Sequence, residues 1–180
     1  MICVALIRGI NVGKAKRISM SDLRDAFSDL GFGKVRTLLN SGNVLFETPR
    51  PSTPRLAAEI EKTIATKCGF AATVAVVTAP QLSIIIDENP LLDAATNFSR
   101  LFVAFAPSHS AWRALRPLLK QPWSPDILAI TPRAAYLWCE AGAIDSPLSQ
   151  AFSRKAAGTV TLRNWATVLK IQALAAAGQR

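Results

Sequence analysis

Two spacings of apolar residues alternate along the chain. Ile2 to Ile7 is an unbroken apolar run, which predicts a buried strand. Met20, Leu23, Ala26, Phe27 and Leu30 then recur every three or four residues, which predicts a helix with one inward face. Ser19 is placed to cap it, with Asp22 in the capping-box position, and Gly31 to close it in the left-handed conformation. Residues 35–39 and 44–46 read as strands joined by the hairpin turn Asn40-Ser41-Gly42-Asn43. Thr53-Pro54 opens a second helix with Leu56, Ile60 and Ile64 inward, Gly69 ends it, and residues 73–77 form a further strand. The order is β-α-β-β-α-β.

The second half repeats this order without repeating its residues. Residues 101–105 form a strand. Residues 110–120 carry a helical pattern with Trp112, Leu115 and Leu119 inward, which Pro117 should bend or end. Strands follow at 127–130 and 136–139, then a helix opened by Ser146-Pro147 with Leu148 and Phe152 on one face. A short strand at 160–162 precedes a final helix over 164–177, with Trp165, Val168 and Leu169 on one side. The resulting division is a first ferredoxin-like subdomain at 1–78, a connecting helix and loop at 79–99, and a second subdomain with a C-terminal helix at 100–180. The fold class is α+β, two βαββαβ subdomains in tandem. In that topology the loop after the first strand, the hairpin turn at 40–43 and the region of Gly69 meet at one sheet edge.

Charge gives that edge its interest. Lys and Arg number 21 against 12 acids, a net of +9. Residues 1–93 carry 11 basic and 9 acidic side chains, and residues 94–180 carry 10 and 3. Such a surplus suits nucleic acid, an anionic surface or a phosphorylated ligand, and is equally found where it serves only solubility. Arg8 to Arg17 packs four cations, two glycines and an asparagine into ten residues. Such a loop can present backbone amides and side-chain charge to an anion. It is not a nucleotide-hydrolysing P-loop: three residues separate Gly9 from Gly13 where four are needed, and Ala15 follows Lys14 where a hydroxyl would hold magnesium.

Other residues carry less. Asn11 is a ligand donor or the left-handed residue of a tight loop. Ser41 reads as a turn residue, and Asn43 fits either role. Asn164 suits the N-cap of the final helix and Trp165 a core anchor, while Arg163 would pair with an acid such as Asp145 or hold an anion beside the helix start. His109 is the single histidine, and no nucleophile elbow, triad or clustered metal ligand set accompanies it. Cys3, Cys68 and Cys139 are widely spaced and lie in or beside apolar segments, so they read as buried free thiols in a reducing cytosol. The apolar N-terminus lacks a preceding basic region, which argues against a secretory leader, and no apolar run reaches the length of a membrane span.

Several motifs together resemble the bacterial domain of unknown function 1697 family. They are Ala5-Leu6-Ile7-Arg8-Gly9-Ile10-Asn11-Val12-Gly13, Met20 with Leu23, Leu30-Gly31-Phe32, Val35-Arg36-Thr37, Ser41-Gly42-Asn43-Val44, Asn89-Pro90, and the closing Thr161, Arg163-Asn164-Trp165, Thr167-Val168 and Lys170. Lys14 stands where the family usually has a second glycine, Leu38 where it often has tyrosine, and Asn40 where it has glutamine. The resemblance implies a two-subdomain ferredoxin-like fold and implies no activity.

Three readings of function follow. The first is a cytosolic binding module for a phosphate-containing ligand or nucleic acid. Its binding residues are Arg8, Gly9, Asn11, Gly13, Lys14, Lys16, Arg17 and Asn43, with Arg163 and Asn164 from the closing motif, and it has no cofactor, metal or membrane partner. The first half's strands supply Phe46 and no Tyr or Trp, so binding would run through loops rather than stacking on the sheet. The second is an enzyme holding a small anionic substrate between the subdomains with Arg8, Asn11, Asn43 and Arg163. The third is a structural or interaction protein in which these residues serve folding.

Overall fold

The computed structural model of the protein describes residues 1–11, 16–108 and 110–178. The first half contains β1 (Ile2–Arg8), α1 (Met20–Ser28), β2 (Gly33–Leu38), β3 (Asn43–Glu47), α2 (Pro54–Cys68) and β4 (Thr73–Thr78). After α3 (Ala79–Asp87) come β5 (Leu101–Phe105), α4 (Ala111–Leu115) with a 3-10 turn at Arg116–Lys120, β6 (Ile127–Ile130), β7 (Ala135–Trp138), α5 (Pro147–Ala156), β8 (Thr161–Asn164) and α6 (Trp165–Ala177). The sheets have orders β2-β3-β1-β4 and β6-β7-β5-β8, with every pairing antiparallel. These are two ferredoxin-like subdomains with a C-terminal helix. One compact unit comprises Met1–Leu82 and the chain from Ile171 on, and the other Ser83–Lys170.

The local signals act as their chemistry dictates. Ser19 Oγ accepts the Asp22 N–H at 3.0 Å, Thr53 Oγ1 the Leu56 N–H at 3.3 Å and Ser146 Oγ the Ser149 N–H at 2.9 Å, so three helices begin on hydroxyl caps. Gly69 ends α2 at φ 72°. Gly31 is also left-handed, at φ 78°, but α1 stops earlier, at Ser28. The chain then tightens into turns, with Leu30 N–H on Phe27 O and Gly31 N–H on Ser28 O.

In the first unit Cys3, Ala5, Ile7, Val44, Phe46 and Val74 face Leu23, Phe27, Ile60 and Ile64 of the two helices. Phe27, Phe32 and Phe46 form a mutual aromatic cluster, with Phe32 and Phe46 centroids 4.5 Å apart. Val4, Leu6 and Leu45, on the alternate face, are also fully buried, so that face offers no stacking platform. The second core joins Ala104, Ala135 and Leu137 to Trp112, Leu115, Leu118, Leu148 and Phe152.

Two inward assignments change. Leu118 is buried and Leu119 is 46% exposed, the reverse of the helical expectation. Pro117 converts the stretch to a 3-10 turn, and its three-residue period carries the stripe from Trp112 through Leu115 to Leu118. In α6 the buried stripe is Trp165, Val168, Ile171 and Ala175, leaving Leu169 outside. No helix among the described residues is long and apolar enough to cross a membrane.

Candidate anion-binding site

The β1–α1 loop lies against the β2–β3 turn. Arg8 ends β1 opposite Thr73 of β4, and the Ile7 N–H donates to Gly42 O at 2.8 Å. Asn11 joins the two corners. Its Nδ2 donates to Asn40 O at 2.9 Å, its Oδ1 accepts the Ile18 N–H at 3.0 Å, and its own N–H donates to Lys16 O at 2.6 Å. It does this at φ 53°, a left-handed conformation that asparagine tolerates better than most residues. The third corner is present as well: a Cβ built on Gly9 would lie 4.0 Å from Ala71 O, in the connection after α2. Arg8 is half-buried, whereas Lys16 and Arg17 are exposed. Gly13 and Lys14 of the same loop, and His109, lie outside the described residues.

The turn itself is held from within. Asn43 is fully buried, and its Nδ2 donates to Leu38 O at 2.8 Å and to Ser41 Oγ at 3.1 Å. Gly42 has φ 82°, and an added Cβ would come within 2.8 Å of Ile10 Cδ1 and 3.0 Å of Ile7 Cβ. Leu39 also sits at positive φ, 59°, and is 48% exposed at the turn's tip. A leucine in that region is strained.

Beside the loop, a cavity of about 500 Å³ is lined by Arg17, Ile18, Asp22, Asp25, Lys67 and Cys68. Its charge is mixed, since two carboxylates face two cations, and Lys67 is ion-paired with Asp29. Cys68 is half-exposed rather than buried, because it occupies the last position of α2. Partial burial and then Asp22 push its thiol up, and Lys67 offsets part of this. Burial likewise raises Cys3, and takes Cys139 to about 11. In all three the shift disfavours the thiolate. Among the described residues no group of three or more metal-ligating side chains is assembled.

Arg163 and Asn164 belong to the second unit. Arg163 on β8 pairs with Val103, on the sheet face opposite α4 and α5, and is 8% exposed. Burial pulls its guanidinium down to about 10, and one N–H donates to Leu162 O at 2.8 Å. Asn164 Oδ1 accepts the Thr167 N–H at 2.9 Å, which caps α6, and Trp165 is 2% exposed. A second cavity, of about 420 Å³, lies between α4 and the β6–β7 turn and is lined by Trp112, Arg113, Arg116, Ile130, Thr131 and Pro132. Arg113 and Arg116 were not candidates on sequence, because only the fold brings them against that turn.

The two sheet orders and their helices define an α+β protein built from paired ferredoxin-like subdomains. A family model described as "Protein of unknown function (DUF1697)" matches residues 1–136, and the chain belongs to that family. The chain is similar to the solved structure of the conserved bacterial protein SP0830 from Streptococcus pneumoniae, at 20% identity and a TM-score of 0.81 over 97% of each chain. That likeness is one of fold. No curated protein matches the chain.

Proposed function

We propose that the protein is a cytosolic binding module that takes a phosphate-containing ligand, nucleic acid included, at the β1–α1 loop. The observation that carries the reading is the Asn11 clasp. It pins the loop to the β2–β3 turn and leaves Lys16 and Arg17 exposed beside it. Arg8, Lys16 and Arg17 supply charge, with Gly9 and, by sequence, Gly13 and Lys14 completing the loop. Asn11 and Asn43 act by holding its shape. Arg163 and Asn164 would act at most through the second unit. Among the described residues all three cysteines are free and two are buried, which suits a reducing compartment and supports the cytosol.

Fluorescence anisotropy with a labelled single-stranded oligonucleotide tests this. Affinity should fall as salt rises, and K16A/R17A should flatten the log–log salt slope by about 1.4, two phosphate contacts at ~0.7 each. An unchanged slope in that variant, or no binding at low salt, removes the proposal.

A further inference from the structure

The second unit holds an arrangement that the first does not explain. Arg113 and Arg116 are both exposed and both line the cavity of about 420 Å³. Among the described residues no carboxylate lines it, in contrast to the cavity beside Arg17, and neither guanidinium is in an ion pair. Asp126, the next acid along the chain, and Glu88, which meets the β6–β7 turn at Arg133, each have partners of their own. Asp126 accepts from the Glu140 N–H at 2.9 Å and the Ser146 hydroxyl at 2.7 Å, and Glu88 pairs with Arg133 at 2.6 Å. No acid occurs between Asp93 and Asp126 in the sequence. The rest of the lining is apolar or neutral: Trp112, Ile130, Pro132 and Thr131.

This cavity lies where the topology repeats the first unit. In both sheets the turn between the second and third strands sits at the end of the first strand, beside the helix that follows it. Each unit carries cations beside that turn, Lys16 and Arg17 in the loop before α1 in one, and Arg113 on α4 with Arg116 at the start of the 3-10 turn in the other. Paired arginines offer fork-shaped donors suited to phosphate oxygens. A cavity of several hundred cubic ångströms with an apolar wall suits a small organic ligand.

We infer that the second unit carries its own site for an organic phosphate, a phosphate monoester whose non-polar portion lies against Trp112, Ile130 and Pro132 while Arg113 and Arg116 hold the phosphate. The site is independent of the loop at Arg8–Arg17.

Tryptophan fluorescence tests it, because Trp112, Trp123, Trp138 and Trp165 all lie in the second unit. Titration with AMP should change the emission, with an affinity at least tenfold tighter than that of adenosine or inorganic phosphate. R113A/R116A and, as a second replacement, R113Q/R116Q should each weaken AMP at least tenfold. Both positions are exposed, so the thermal melt should stay near wild type. K16A/R17A should bind AMP as wild type does, which separates this site from the one proposed above. The inference is overturned if AMP does not bind, if adenosine or inorganic phosphate binds as tightly, or if either double variant retains wild-type affinity.

Discussion

Replacing Asn11 tests whether the clasp shapes the loop. Asn11→Ala removes the hydrogen bonds to Asn40 O and from the Ile18 N–H, each worth ~1 kcal/mol net. It also leaves a residue with a Cβ at φ 53° without asparagine's local polar compensation, about 1 kcal/mol more. The sum is about 3 kcal/mol. Asn11→Gly loses the same two bonds but tolerates the left-handed conformation, so its loss should be nearer ~2 kcal/mol. The expected order of stability is wild type, Asn11→Gly, Asn11→Ala. Urea unfolding should be followed by far-ultraviolet circular dichroism, because every tryptophan reports on the second unit. Amide exchange at Ile18 should accelerate in both variants. Stabilities within about 0.5 kcal/mol of wild type, or glycine less stable than alanine, would refute the clasp.

At Gly42, alanine would press its Cβ on Ile7 and Ile10 at φ 82°, and a loss of roughly 2 kcal/mol or more is expected in the same unfolding assay. Tyr136, the one tyrosine, is fully buried and donates to Ile85 O at 2.7 Å, and burial pushes its phenol up to about 12. The folded state resists ionisation, so this contribution is intact below pH ~10 and is lost as pH rises towards 12, on the order of 2–3 kcal/mol. Absorbance at the tyrosinate band should show no transition near pH 10 in the folded protein, and a normal titration there would contradict the burial. Glu59 is held below the usual glutamate range, first by its hydrogen bond from Arg50. Its contribution is present at neutral pH and fades as pH falls through the glutamate range, so wild type and Glu59→Gln should converge in stability towards acid.

The elements legible in the sequence are those with local chemical signals. Thr53-Pro54 and Ser146-Pro147 open helices because a hydroxyl cap and a proline act within one turn of chain. The capping serine at 19 and the glycine at 69 are local in the same way. What the sequence concealed depends on partners far along the chain. Leu118 displaced Leu119 because Pro117 changed the helical period, a choice that hydrophobic spacing alone does not reveal. Asn43 fitted a ligand or a turn equally well until its amide was found on Leu38 O and Ser41 Oγ. The cavity at Arg113 and Arg116 needs Ile130, Thr131 and Pro132 folded back against α4, whereas charge counted along the chain gives only a diffuse basic half.

The most direct measurement on the first unit is a phosphate titration of the isotopically labelled protein, followed by amide nuclear magnetic resonance. Concentration-dependent shifts at Arg8, Gly9, Lys16 and Arg17, abolished in K16A/R17A, are the expected result. Saturating phosphate that leaves those four amides unmoved would contradict anion binding at the β1–α1 loop.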